Sequence, residues 1–310
     1  MVPSHGISVH AEGLTRTFGQ FVAVDHIDLS VRLGEIFGFL GPNGAGKSTT
    51  IKMFCGILPP TSGQATVGGF DIARQPQRIR EIIGYMSQKF SLYEDLTVEE
   101  NLDFFGGVQI ASTARMRERK AWALEMASLT AHRRTLTSDL PGGMRQRLAL
   151  ACATMHEPRI LFLDEPTAGV DPTARRDFWE LIYRLSGEGV TVFVSTHYMD
   201  EAEHCDRLGL IHRGRLVATG SPRELKTTRM PHAILEVETA DLVRAMELMA
   251  QMESVLDVTL FGNRLHAVVR DIEAARTEIG NRARQQGVDI RSAVAVTPAL
   301  EDVFVSLLED

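Results

Sequence analysis

From Ile7 to Val31 apolar and polar residues alternate, with Gly19 between two such runs, a pattern that predicts two β-strands joined by a turn. Ile36 to Leu40 is a short apolar run that predicts a strand leading into a glycine-rich loop, and Thr49 to Leu58 continues as a helix. Between Gln88 and Asp139 the period turns helical, and Thr97 with Glu100 offers a capping box ahead of Asn101 to Phe105. The stretch of about residues 89–145 therefore reads as a helical insertion. Beyond it, Arg145–Thr154 predicts a helix, Ile160–Leu163 a strand, Thr173–Ser186 a helix and Thr191–Ser195 a strand. Strands alternating with helices predict a mostly parallel sheet in an α/β domain.

The composition shifts after Ser221-Pro222. Ile234 to Asp310 reads as strand, helix, two strands, helix and strand, with a short last helix from Ala299. That order suits a small ferredoxin-like α+β domain behind a linker near Lys226 to Pro231. The expected division is residues 1–228 for the α/β domain and 229–310 for an accessory domain. A chain of 310 residues, 44% hydrophobic and 24% charged, has room for one large and one small domain. The net charge of -7 argues against nucleic acid as the partner. Met1 to Gly6 lacks a signal-peptide pattern, and no apolar stretch approaches the roughly 18 to 20 residues that span a bilayer. If a membrane is involved, another chain crosses it. Cys55, Cys152 and Cys205 stand outside any metal-binding spacing and are expected to be buried thiols. The basic segment Arg115–Lys120 is expected to be a solvated helix face.

Gly41-Pro42-Asn43-Gly44-Ala45-Gly46-Lys47-Ser48 completes the pattern G-x-x-x-x-G-K-[ST], placed after a strand and before a helix. Glycines let such a loop curl until backbone N–H groups face inward, and the following helix adds its positive end, so the loop cradles phosphates. Lys47 is expected on the β and γ phosphates and Ser48 on magnesium. The loop alone leaves GTPases, kinases and many ATPases open.

Ile160-Leu161-Phe162-Leu163-Asp164-Glu165 carries two carboxylates to the end of an apolar strand, where ligands bind in open α/β sheets. Asp164 would support a magnesium shell. Glu165, expected on the opposite face of an extended chain, would orient and deprotonate an attacking water. His197 follows the strand Thr191–Ser195 and reaches the same edge; Gln88 stands at the entrance to the helical insertion.

The loop Gly41–Ser48, Gln88, Leu140-Pro141-Gly142-Gly143-Met144, Ile160–Glu165, Asp171 and His197 occur in the order and spacing of an ABC ATPase, and the chain resembles that family over about residues 7–225. The resemblance implies a P-loop NTPase core with a helical subdomain and a head-to-tail dimer, with each ATP held between one subunit's phosphate loop, through Thr49, and the other's signature segment at Gly142 and Gly143. It implies that Gln88 is the glutamine that meets magnesium and the attacking water, Asp171 the aspartate crossing the dimer seam, His197 the switch histidine and Phe18 the aromatic stacked on adenine. The phrases Tyr85–Tyr93 and Arg145–Ala151, with Pro298–Phe304, are similar to ATPases of type-2 drug and antibiotic exporters that carry a proline in the signature. This implies a separate transmembrane permease and a peripheral place on the cytoplasmic side of the membrane.

Where the family commonly has Leu-Ser-Gly-Gly-Gln, this chain has Pro141 and Met144, losing a hydroxyl, an N–H and an amide. A homodimer would then have two altered sites; a heterodimer with a second ABC ATPase could keep one standard site. A soluble, non-transport ABC ATPase and a slowly hydrolysing regulatory subunit are the alternatives to an exporter motor.

Overall fold

The computed structural model describes residues 6–88, 92–228 and 232–309, in two compact units that divide between Ser221 and Pro222. Lys89 to Ser91, and residues 229–231 of the expected linker, lie outside the described residues.

In the first unit the alternating runs form β1 (Ile7–Phe18) and β2 (Phe21–Arg32), and the apolar run forms β3 (Ile36–Leu40), with every residue buried. After the glycine loop come α1 (Lys47–Phe54), β4 (Ser62–Val67), β5 (Phe70–Asp71), α2 (Pro76–Ile82) and β6 (Ile83–Met86). The helical insertion holds α3 (Val98–Gln109) and α4 (Thr113–Met126), followed by α5 (Gly142–Thr154). The capping box forms as read: the Thr97 side chain accepts from Glu100 N–H, and the Glu100 carboxylate accepts from Thr97 N–H at 2.8 Å. The unit closes with β7 (Ile160–Asp164), α6 (Pro172–Gly187), β8 (Thr191–Thr196), α7 (Met199–Ala202), β9 (Arg207–His212) and β10 (Arg215–Gly220).

These strands make two sheets. An antiparallel sheet has the order β2-β1-β4-β5, and a second has the order β10-β9-β3-β8-β7-β6. In the second, β3, β6, β7, β8 and β9 run parallel, and only β10 turns back against β9. Phe37 and Phe39 on β3, Phe54 on α1, Phe162 on β7 and Phe193 on β8 pack with ring centroids 5.4 to 6.1 Å apart. This aromatic cluster clamps α1 beneath the strands on either side of β8, and so fixes the phosphate loop relative to the acidic pair.

In the insertion one residue departs from the solvated face expected of the basic segment, in which Arg115, Arg117 and Glu118 are exposed. Arg119 is not part of a solvated face: it is buried, donates to Thr154 O and Met155 O at 3.1 and 3.0 Å, and stacks its guanidinium on Trp122. It satisfies the last carbonyls of α5, which alternation of charge along α4 does not reveal.

The second unit opens with α8 (Pro222–Thr228), so Lys226 stands in a helix and not in a linker. It continues with β11 (Ala233–Thr239), α9 (Leu242–Met249), β12 (Val255–Phe261), β13 (Arg264–Val269), α10 (Ile272–Gln286), β14 (Ile290–Val296) and α11 (Leu300–Glu309). The four strands pair antiparallel in the order β12-β13-β11-β14, the βαββαβ arrangement of a ferredoxin-like domain. α11 is pinned by a buried bond between His266 Nδ1 and Asp302 Oδ1 at 2.8 Å.

Candidate functional site

Because β8 lies between β3 and β7, three carboxyl ends share one edge, which carries the loop at 41–46, Asp164 with Glu165, and His197. The loop depends on its glycines. A Cβ on Gly41 would meet Ile211 O at 2.3 Å, and one on Gly46 would meet Ala23 O at 2.5 Å, while Gly44 and Gly46 hold φ of 80° and 109°. Gly46 is the N-cap of α1, and no side chain caps the helix. The first N–H groups of such a helix have no intrahelical partner, which suits them to an anion, and Thr49 lies in the same turn.

Lys47 is 4% exposed. Its Nζ donates to Gly41 O at 2.7 Å and to Pro42 O at 3.1 Å, and it stands 3.0 Å from Glu165 Oε1. Asp164 Oδ1 accepts from Ser48 Oγ at 3.0 Å and from Ser195 Oγ at 2.7 Å. Ser195 is a site residue that the sequence reading missed, having read it only as the end of a strand. Its Oγ also accepts from Glu165 N–H at 3.1 Å, so one hydroxyl holds both members of the acidic pair.

Glu165 corrects a second reading. Its backbone is not extended but left-handed, with φ 49°. Such a conformation costs a non-glycine residue about 1–2 kcal/mol, and here it turns the carboxylate back over the loop. Glu165 is 7% exposed; its Oε2 accepts from Gln88 Nε2 at 3.0 Å and lies 3.2 Å from His197 Nδ1, off the hydrogen-bond axis. Lys47, Gln88 and His197, spread over 150 positions of sequence, thus converge on one carboxylate.

Among the described residues no group of three or more His, Cys, Asp and Glu side chains is arranged to hold a metal ion. The Ser48 hydroxyl lies 3.0 Å from the Asp164 carboxylate, and the Gln88 amide stands on the neighbouring Glu165. That sparse set of hard donors fits magnesium, which takes few protein ligands and completes its shell with water and phosphate oxygens.

Three predicted elements stand apart from this cluster. Phe18 ends β1, 47% exposed, with the Arg16 guanidinium 4.6 Å from its ring centroid. Asp171 is the N-cap of α6, its Oδ1 accepting from Thr173 and Ala174 N–H at 3.0 Å each. Gly142 and Gly143 begin α5 with Pro141 as an N-cap that forms no side-chain hydrogen bond. Gly142 is open to solvent, whereas a Cβ on Gly143 would lie 2.6 Å from Ala174 Cβ.

Beside β6, α3 and α5 wall a cavity of about 450 Å³ lined by Tyr85, Met86, Leu92, Phe105, Val108 and Cys152. Val108 is 73% exposed at its rim. The Tyr85 hydroxyl is buried without a hydrogen-bond partner among the described residues, and burial, followed by the Asp164 charge and Cys55, pushes its pKa up. The three cysteines are free and buried, and burial raises each thiol pKa.

Residues 24–168 match the family described as ABC transporter, and residues 220–308 match that described as ATP-binding protein DrrA1-3-like, C-terminal domain. The probable multidrug ABC transporter ATP-binding protein YbhF of Escherichia coli is 55% identical over 225 residues, which are 70% of this chain and 38% of YbhF. This chain thus spans well under half of YbhF. The linearmycin resistance ATP-binding protein LnrL of Bacillus subtilis is 34% identical over 306 residues, covering 96% of this chain and 97% of LnrL. Among solved structures, CbiO1 of Clostridium perfringens, part of the ABC transporter complex CbiONQ, superposes with a TM-score of 0.66 at 29% identity, covering 71% of this chain and 91% of its own.

Proposed function

The chain belongs to the ABC transporter family and is an ATPase of it, and from that premise we propose that it powers export through a separate membrane permease, dimerising head-to-tail around two ATP molecules. The observation that carries the reading is the convergence of Lys47, Gln88 and His197 on the Glu165 carboxylate, with Asp164 held one residue away.

Lys47 now divides its ammonium between two loop carbonyls and Glu165. Phosphate oxygens entering the loop compete for that charge, so ATP binding frees Glu165 to act as a base. Glu165 then takes a proton from water, with the water oriented by the Gln88 amide, and His197 contacts the γ phosphate. Magnesium, when bound, neutralises phosphate charge, and Ser48, Asp164 and Gln88 are the residues that would hold it. Phe18 offers its ring to adenine. Gly142 and Gly143 present bare backbone to the ATP of the opposing subunit, and Asp171 lies at the seam between subunits. That subunit is a second copy of this chain or another ABC ATPase.

The cavity is lined by Met86 and Ser87, the two residues before Gln88 in the chain, and is the surface proposed for the permease, so movement of Gln88 is passed along this segment to where the membrane subunit docks. The names of YbhF and LnrL support an export role, and the protein then works on the cytoplasmic face of the membrane. No helix among the described residues is long and apolar enough to cross a bilayer, which leaves that task to the permease.

The test is steady-state ATP hydrolysis with magnesium, alone and with the permease in vesicles. Glu165→Gln is expected to lower turnover by about 10²- to 10³-fold while ATP affinity stays within a few-fold. Turnover that survives this change would overturn the assignment of the base, and ATP hydrolysis without any permease-dependent efflux would overturn the export role.

A further inference from the structure

A second carboxylate, which the site as described does not use, lies buried close behind it. Glu201, on α7, is 1% exposed. Its Oε1 accepts from the Thr167 hydroxyl and lies 3.2 Å from Arg175 Nε; its Oε2 accepts from the Thr196 hydroxyl at 2.7 Å. An ionised carboxylate this deep persists only when charge and hydrogen bonds compensate it, and here three separate segments supply them. Thr167 stands two residues after Glu165, Thr196 one residue before His197, and Arg175 one helical turn after Asp171. Arg175 reaches further. It pairs with Asp200 at 3.1 Å and covers the Tyr198 ring at 4.5 Å, and that ring packs against the His197 imidazole with centroids 4.0 Å apart. Thr196 Oγ1 also accepts from Tyr198 N–H at 2.9 Å, which fixes the backbone around His197.

We propose that Glu201 is a positioning residue for hydrolysis: its clamp on Thr167, Thr196 and Arg175 holds the His197 imidazole against Glu165 and ties that geometry to the segment bearing Asp171. The proposal rests on the ATPase reading above. No bond joins Glu201 to Lys47, Ser48 or Asp164 among the described contacts, so its loss touches the rate of the step more than the grip on ATP.

The experiment uses the full chain with Glu201→Gln, which keeps the shape and removes the charge, and Thr196→Val, which removes one arm of the clamp. For Glu201→Gln, kcat is expected to fall at least about tenfold with KM for ATP within about twofold, and for Thr196→Val kcat is expected to fall about threefold. A readout that needs no turnover accompanies them: the ring resonances of His197, assigned by their loss in His197→Ala, shift in both variants while those of exposed His26 stay in place. Unchanged kcat, or unchanged His197 resonances, would overturn the proposal in folded protein, as would an equal fall of kcat and ATP affinity there. If Glu201→Gln does not fold, Thr196→Val decides by the same readouts. If the wild type alone does not turn over, the kinetic arm speaks to the ATPase reading or to a missing partner ATPase and not to Glu201, and the His197 resonances decide the role of Glu201.

Discussion

The carboxyl edge of the parallel sheet and the start of α5 both serve ATP in the proposed mechanism, and they are satisfied in opposite ways. At the sheet edge Asp164 and Glu165 are buried, and Ser48, Ser195, Lys47, Gln88 and His197 from the same chain surround them. At the start of α5 Pro141 has no N–H to give, Gly142 is exposed, and no side chain caps the helix. Buried charges must be paired inside the fold that buries them, whereas an exposed helix end is served by water until something replaces it. In the proposed mechanism, one half of the machinery is therefore complete within the chain, and the other awaits a ligand held by a different subunit.

The sharpest way to break this contrast is Lys47→Ala, which removes the proposed phosphate ligand and strands Glu165 without its counter-charge. ATP affinity and hydrolysis are both expected to fall, turnover by roughly 10²-fold or more, as read by nucleotide titration and phosphate release. Ser195→Ala leaves every proposed ATP contact in place but frees both carboxylates from their shared hydroxyl. A loss of about tenfold, mostly in kcat, is expected in the same assay, and a pure rise in KM would show that Ser195 acts on binding instead. At the other end, Pro141→Ser combined with Met144→Gln restores the donors missing from α5 and is expected to raise turnover by about two- to fivefold if a second copy receives them. No gain would mean that another ABC ATPase supplies the working signature. The smallest effect belongs far from either end: Thr97→Ala removes the cap of α3 and is expected to cost about 1 kcal/mol in denaturant unfolding, with hydrolysis unaltered.

What the sequence disclosed follows the reach of the interactions involved. The phosphate loop was legible because its demands are local: glycines where a Cβ would strike Ile211 O or Ala23 O, then a lysine and a serine opening a helix. β3 and β7 were legible because they are buried throughout and carry no polar residue before their ends. Ser195 was not, because its partner Asp164 is 31 positions away and a serine closing an apolar strand has no special spacing. Glu201 was hidden for the same reason, with Thr167 34 positions away. The left-handed turn at Glu165 was invisible because the strand before it is regular and glutamate carries no signal for positive φ. β4 went unread since its first three residues are exposed and only Ala65 and Val67 are buried, too few to set a period of two.

The cysteines bring a practical consequence. All three are buried, with thiol pKa values raised by that burial, so the native chain offers a thiol-directed reagent almost no thiolate to attack. The wild type is in effect its own cysteine-light background. A single cysteine introduced on the exposed surface next to Gly142 or Asp171 would react with a maleimide dye or a crosslinker well ahead of the native thiols. Approach of two subunits could then be followed by energy transfer or trapped as a disulfide without first stripping the protein of its native cysteines.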